Sequence, residues 1–334
     1  MEAKPVTVVR GRRPIVEAKP VSVVLALFGP TAVGKTAVAI ELADLLRERG
    51  EDPVAISADS MQVYQGLGTL TGAATAEEQR RLEHRLIGFV PVTQTFSVGE
   101  YMRLAHGEID AAIAADRQPI VVGGTGLYLR AALTDLDLRP PPDPEVRARI
   151  QARMDDEGPE ALRAEVLARD PTAKIAEGDR NRIIRYLELQ EMGEGSDPLH
   201  RRKLHLRKGS DPLAGRRDSQ LWTAETRHPT VLVGLVMERG ELDRRIDARM
   251  EAIAAAAIDE VRAADAAGAS VTARKAYGFD ELLRGDVDAM KLKARQFARR
   301  QLTWMRKLPD VHVVDATGRE PIDVASEVAH LLDE

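Results

Sequence analysis

The stretch Gly29-Pro30-Thr31-Ala32-Val33-Gly34-Lys35-Thr36 constrains this chain more than any other. It fits the eight-position phosphate-binding loop: Gly, four free positions, Gly-Lys, then Ser or Thr. The glycines let backbone amides close on an anion, the lysine reaches its oxygens, and the last hydroxyl suits Mg²⁺. Such a loop needs a strand before it and a helix after it. Residues 21–28 are an apolar run that predicts a buried parallel strand. Over residues 36–49, Val38, Leu42, Leu45 and Leu46 fall on one helical face, and Gly50 supplies a stop. The spacing thus predicts a phosphate compound at a strand-to-helix turn, without saying which compound.

The 334 residues suffice for one large domain with an insertion, or for two domains. No apolar run is long enough to span a bilayer. The basic N-terminus leads directly into the strand before the loop, which argues against a signal peptide. With no cysteine, disulfides and thiolate metal sites are excluded, and a cytoplasmic location is the simple expectation. A net charge of −5 argues against a uniformly basic nucleic-acid binder, so local charge matters more. Residues 199–217 carry seven cations against Asp211 alone, and residues 291–307 carry seven with no acid in the segment. Either stretch suits a phosphate backbone, and either equally suits a solvated face.

Residues 2–9 (EAKPVTVV) recur as residues 17–24 (EAKPVSVV), and only the second copy feeds the loop. Residues 1–20 therefore read as a flexible extension. Further strands are expected at 53–57, 83–90, 119–122, 231–236 and 311–315. Helices are expected at 97–115, 145–156, 159–169, 179–192, 239–267, 273–284, 286–307 and 321–332. Ser97-Val98-Gly99-Glu100 is a capping box for the first of these. The second strand delivers Asp59 and Ser60 to its carboxyl end, where open α/β sheets bind ligands. Asp59 there suits a base or an indirect Mg²⁺ contact, and an Asx turn is the plainer reading. The strand ending at 122 runs into Gly123-Gly124-Thr125-Gly126-Leu127-Tyr128, where glycines permit close approach and Thr125 adds a hydroxyl. A lone His84 reads as structural. Arg139-Pro140-Pro141-Pro142-Asp143-Pro144 is a stiff linker. The fold class that follows is α/β: a phosphate-loop NTPase-like parallel sheet with helices on both faces and an inserted helical domain. Its expected partition is 21–139 with 226–334 as the core, and 140–225 as the insertion.

In order, these stretches resemble the tRNA dimethylallyltransferase (isopentenyl-tRNA transferase) family over nearly the whole chain. Beyond the generic loop, the resemblance rests on Asp59-Ser60-Met61-Gln62-Val63-Tyr64, Gly123 to Tyr128, Asp179-Arg180-Asn181-Arg182-Ile183-Ile184-Arg185, and Arg300-Gln301-Leu302-Thr303-Trp304. It implies transfer of a dimethylallyl group from its diphosphate to N6 of the adenosine 3′-adjacent to the anticodon. Residues 29–36 and Arg239 would then hold the diphosphate, with Lys35 and Mg²⁺ at Thr36 neutralising the leaving group. Asp59 would take the proton of a poorly nucleophilic amine, and Thr125 would position the adenosine. The tRNA anticodon stem-loop would be met by Asp59, Ser60, Met61, Gln62, Thr125, Arg147, Asn181, Arg182 and Arg185. A monomer is expected.

Several positions depart from the family pattern. Gly66-Leu67-Gly68-Thr69-Leu70-Thr71-Gly72-Ala73 stands for the usual Gly-x-Asp-Ile-Gly-Thr-Ala-Lys, and Gly88 for an acid. Tyr277 stands where isoleucine is common and Phe279 where tyrosine is, while Ala294 and Phe297 lose two hydroxyls. These changes bear on substrate affinity and tRNA preference more than on reaction type. Three alternatives accompany the main reading. One is a small-molecule kinase using the same loop for ATP, and another is prenyl transfer to a free adenine nucleotide. The third is a tRNA-binding relative with impaired catalysis.

Overall fold

The computed structural model describes residues 23–136, 138, 143–173, 175–195 and 222–333. The expected extension 1–20 and the basic stretch 199–217 lie outside the described residues. Six strands form one parallel sheet: β1 (Val24–Phe28), β2 (Pro53–Ser57), β3 (His84–Arg85), β4 (Gln118–Gly123), β5 (Thr230–Val236) and β6 (Val311–Asp315). Their order across the sheet is β3-β2-β4-β1-β5-β6. The central strand β1 is buried throughout, pairing Leu25 with Ile120 on one side and with Val231 on the other.

Strand alternation divides the apolar residues between two cores. Leu25 and Leu27 of β1 join one core with Ile120, Val233, Val38 and Leu42. Val24, Ala26 and Phe28 join the other with Tyr101, Ile109 and Leu129. Each fully buried Leu, Ile or Phe contributes about 1.5–3 kcal/mol, so the run VLALF is held from both faces. The first core is covered by α1 (Lys35–Glu48) and α13 (Pro321–His330), and the second by α4 (Val98–Ala114) and α5 (Gly126–Leu133). The capping box opens α4: Glu100 N donates to Ser97 Oγ at 3.2 Å, and Ser97 N donates back to the Glu100 carboxylate at 2.9 Å.

Between α5 and β5 lie α6 (Pro144–Asp156), α7 (Gly158–Arg169) and α8 (Arg180–Gly195). They pack on one another around a separate core of Ile150, Met154, Leu162, Val166, Ile183 and Leu187. The helix α8 runs on past the break expected at Gly193. After β5 come α9 (Arg239–Ala256), α10 (Ile258–Ala266), α11 (Phe279–Leu283) and α12 (Val287–Met305).

Three expected elements are corrected and one pair of helices is added. The strand expected over 83–90 ends at Arg85, because Leu86 and Gly88 take positive φ and turn the chain. Gly88, Phe89 and Val90 then donate their amides to Gln62 and Val63, which re-routes the segment alongside 62–65. The single helix expected over 239–267 divides at Ala257. Beyond that point Glu260 accepts from the amides of Thr69 and Leu70, capping α2 (Gly68–Thr71). The helix expected over 273–284 is a 3₁₀ turn, Ala273–Lys275, then α11, separated at Gly278 with φ 95°. The pair α2 and α3 (Ala76–Arg81) was not expected at all, although Thr75 and Glu78 form a capping box for α3.

Candidate active site

Three adjacent strands, β2, β4 and β1, bring their carboxyl ends to one edge of the sheet. From β1 comes the glycine loop 29–36, from β2 the segment 58–62, and from β4 the turn 123–126. These segments, with α9 and α12, enclose a cavity of about 610 Å³. Crevices beyond the carboxyl ends of parallel strands are where open α/β sheets place ligands.

The loop is held in shape from behind. Gln301 of α12 is buried, accepting from Thr31 N through Oε1 at 2.8 Å and donating through Nε2 to Gly124 O at 2.8 Å. One side chain therefore ties the glycine loop 29–36 to the turn carrying Thr125. A Cβ at Gly124 would lie 2.1 Å from Gln301 Nε2, so the close approach requires glycine there. Gly34 at φ 104° opens α1, and the first residues of that helix, Lys35 to Ala37, line the hollow. Lys35 folds back, donating from Nζ to Gly29 O at 3.0 Å and Pro30 O at 2.9 Å. Burial, and secondarily the Arg249 guanidinium, lower its ammonium from 10.5 to about 8, against the pull of Asp59. Thr36 lines the same cavity.

Opposite the loop, Met61 N donates to Asp59 Oδ1 at 2.9 Å. This is the Asx turn expected of Asp59, and Asp59 lines the cavity. Ser60 N donates to Thr125 Oγ1 at 3.2 Å, joining the second and fourth strand ends. Gln62 accepts from Ser57 Oγ at 3.0 Å and donates to Gly72 O at 3.2 Å. Asp59, Ser60, Met61, Gln62 and Thr125 all line the cavity, as do Thr31, Ala32, Gly34, Lys35 and Thr36 of the loop.

The structure does not bring Arg239 there. It begins α9 with its side chain 74 % exposed and 3.8 Å from Asp243, on the solvent side of the first turn. The arginine that faces the cavity from this helix is Arg249, which sequence reasoning missed. Burial lowers its affinity for the proton, opposed by Asp59 and Glu78. Its Nη2 lies 3.5 Å from Gly72 O, and a Cβ at Gly72 would sit 1.7 Å from that nitrogen, so a side chain there would displace the guanidinium. A signal existed: Leu242, Ile246, Met250 and Ile253 are the buried stripe of α9, and Arg249 falls at its edge. His84 and Lys275 also line the hollow; His84 Nδ1 contacts Leu82 O at 2.7 Å, and burial lowers its basicity.

Arg147, Asn181, Arg182 and Arg185 stand apart from the cavity lining, on α6 and α8. The basic stretch 291–307 looks different in three dimensions. Lys291 pairs with Glu251, Lys293 with Glu281 and Arg295 with Asp247, so acids from other helices neutralise its first half. Arg299 and Arg306 hold no ion pair among the described residues, Arg300 donates to Tyr277 Oη at 3.0 Å, and Lys307 sits 5.5 Å over Trp222.

The IPP transferase family model matches residues 62–308, most of the chain. The chain belongs to the IPP transferase family. It is 39% identical over 318 residues to the tRNA dimethylallyltransferase of Thermobifida fusca, covering 91% of this chain and 93% of the relative. The tRNA dimethylallyltransferase of Kineococcus radiotolerans is 38% identical over 324 residues, covering 92% and 96%. Among solved structures, the full-length tRNA isopentenylpyrophosphate transferase of Bacillus halodurans superposes with TM-score 0.64 at 28% identity, over 93% of this chain and 96% of that one. The α/β fold with its parallel sheet is thus that of IPP transferases. Among the described residues, no helix is long and apolar enough to cross a membrane.

Proposed function

We propose that this IPP transferase moves a dimethylallyl group from dimethylallyl diphosphate to N6 of the adenosine 3′-adjacent to the anticodon of tRNA. One observation carries the reading: a single cavity sets an anion cradle, Lys35 with Arg249 and the loop amides, against a carboxylate, Asp59, beside the Thr125 hydroxyl. In the reaction the C1–O bond to the diphosphate breaks as the N6–C1 bond forms, and N6 gives its proton to Asp59. Adenine's amine lone pair is delocalised into the ring, so removal of that proton aids attack. Lys35 and Arg249 stabilise charge that grows on the leaving diphosphate in a partly desolvated site. Thr125, held by Ser60, is placed to orient the acceptor.

A Mg²⁺ ion fits the chemistry of this donor set. Among the described residues no cluster of three acids or histidines forms a metal cage, while the Thr36 hydroxyl stands beside the anion cradle. An ion held by Thr36 and the diphosphate's own oxygens matches the preference of Mg²⁺ for few protein ligands plus phosphate. When bound, it would neutralise the leaving group.

The arginines of α6 and α8 supply the grip on the anticodon arm, whose target base must leave its stack to reach the cavity. The names of the relatives favour this reading over a kinase. The test is nucleoside mass spectrometry of unmodified tRNA incubated with the protein, dimethylallyl diphosphate and Mg²⁺. N6-dimethylallyladenosine is expected. Its absence with folded protein would overturn the reading and direct attention to ATP turnover.

A further inference from the structure

We infer that Glu188 is a positioning residue for RNA: its buried carboxylate bridges Arg147 of α6 and Arg185 of α8 and fixes both guanidinium groups for backbone phosphates. The inference deepens the proposed function and rests on its assignment of RNA to this surface. Glu188 is 0% exposed and shares the buried side of α8 with Ile184 and Leu187. Its Oε1 lies 3.0 Å from Arg147 Nε, and its Oε2 accepts from Arg185 Nη1 at 3.0 Å. The side chain of Arg147 is 47% exposed and that of Arg185 18%, so the acid is interior while the cations reach the surface.

At Arg147 the closest approach is through Nε, the inner nitrogen, and it is an ion pair rather than a hydrogen bond: Glu188 Oε1 is a buried oxygen with no hydrogen-bond partner among the described residues. Arg182 and Asn181 are exposed one turn away on α8, so the bridged pair extends a polar, cationic face. Stability alone is a poor account of this carboxylate, because apolar residues of similar volume commonly replace buried ion pairs without loss. An arginine otherwise surrenders rotamer freedom when it grips a phosphate; one already held by a carboxylate surrenders less.

Glu188→Gln decides the matter through the sign of its effect. Removing a negative charge beside an RNA-binding surface strengthens Coulomb attraction, so a bystander acid predicts unchanged or tighter binding. Positioning predicts that the tRNA Kd rises by about tenfold, with KM for dimethylallyl diphosphate and kcat at saturating tRNA unchanged. The second arm adds Glu188→Gln to an Arg147→Gln/Arg185→Gln background, where no further rise in Kd is expected. Equal or tighter binding by Glu188→Gln overturns the inference. So does an additional loss in the arginine-free background, which would mark a purely folding role. A wild-type protein that fails to bind tRNA would instead overturn the assignment of RNA to this chain.

Discussion

The cavity and the helices α6–α8 both concentrate positive charge, yet they hold it in opposite ways. Lys35 and Arg249 face the cavity without an ion pair among the described residues, and burial makes both harder to keep protonated. On α6–α8 the cations come ready paired: Arg147 and Arg185 with Glu188, Arg149 with Glu191, Arg153 with Glu157 and Arg180 with Asp155. A buried cation without a counter-ion is a site waiting for an anion, and the binding energy it gives is concentrated on one group. The exposed pairs among them contribute little each and spread cations to meet successive phosphates along a backbone, while Arg147 and Arg185 stay held by the buried Glu188. Chemistry is assigned to the first region and grip to the second.

The largest effect that would break this division lies at Asp59. Asp59→Asn keeps the shape and an acceptor for Met61 N but removes the base, so turnover should fall by about 10²–10⁴-fold. The tRNA Kd, measured by filter binding, should stay within about twofold because the grip lies elsewhere. Loss of both together would make Asp59 a structural residue.

Next is the contrast within α9. Arg249→Gln should raise KM for dimethylallyl diphosphate by about 10- to 100-fold, the loss of a charge-assisted contact in a partly buried site. Arg239→Gln, on the exposed first turn, should leave steady-state kinetics unchanged. The reverse ranking would return the diphosphate clamp to Arg239.

A smaller effect follows from Lys35. Its folded-state value of about 8 lies below the ordinary 10.5. In the ligand-free protein the ammonium is therefore lost as pH rises through about 8, while the unfolded chain keeps its proton to higher pH. Two consequences follow, of opposite sign. Stability of the ligand-free protein gains from this group as pH rises from about 8 toward 10.5. Affinity for the diphosphate donor, read by titration calorimetry, should fall by about tenfold between pH 7 and pH 9. Lys35→Arg should flatten that dependence, and a flat wild-type profile would contradict the assignment.

What was legible in the sequence was local. The run 24–28, the glycine loop and the capping box at Ser97 each declare a structure within a few residues, and the sheet and its carboxyl-end site follow from them. What was hidden depended on partners far along the chain. The helix α2 has no apolar periodicity of its own and is capped by Glu260, 191 residues beyond Thr69. The charge run 291–307 looked uniformly basic because Asp247, Glu251 and Glu281 neutralise it only in three dimensions. The family resemblance put Arg239 at the diphosphate, whereas helix phase leaves that side chain exposed on the first turn and turns Arg249 toward the cavity. Gln301 and Arg249 share one mark: each is a polar residue on or beside a helix's buried stripe, with Met290, Ala294, Ala298 and Met305 flanking Gln301. Polar residues in that position are candidates for function because burial without a partner is costly.

The most direct test of the division is the initial rate as a function of tRNA concentration for two variants beside the wild type. Lys35→Met should bind tRNA normally and show turnover reduced by about 10³-fold at every concentration. Arg182→Glu/Arg185→Glu should reach wild-type kcat but need roughly tenfold or more tRNA to do so, with a shallower salt dependence of binding. If the reversed arginines lower kcat without moving the half-saturating tRNA concentration, or Lys35→Met loses tRNA binding, chemistry and grip are not separate in this protein.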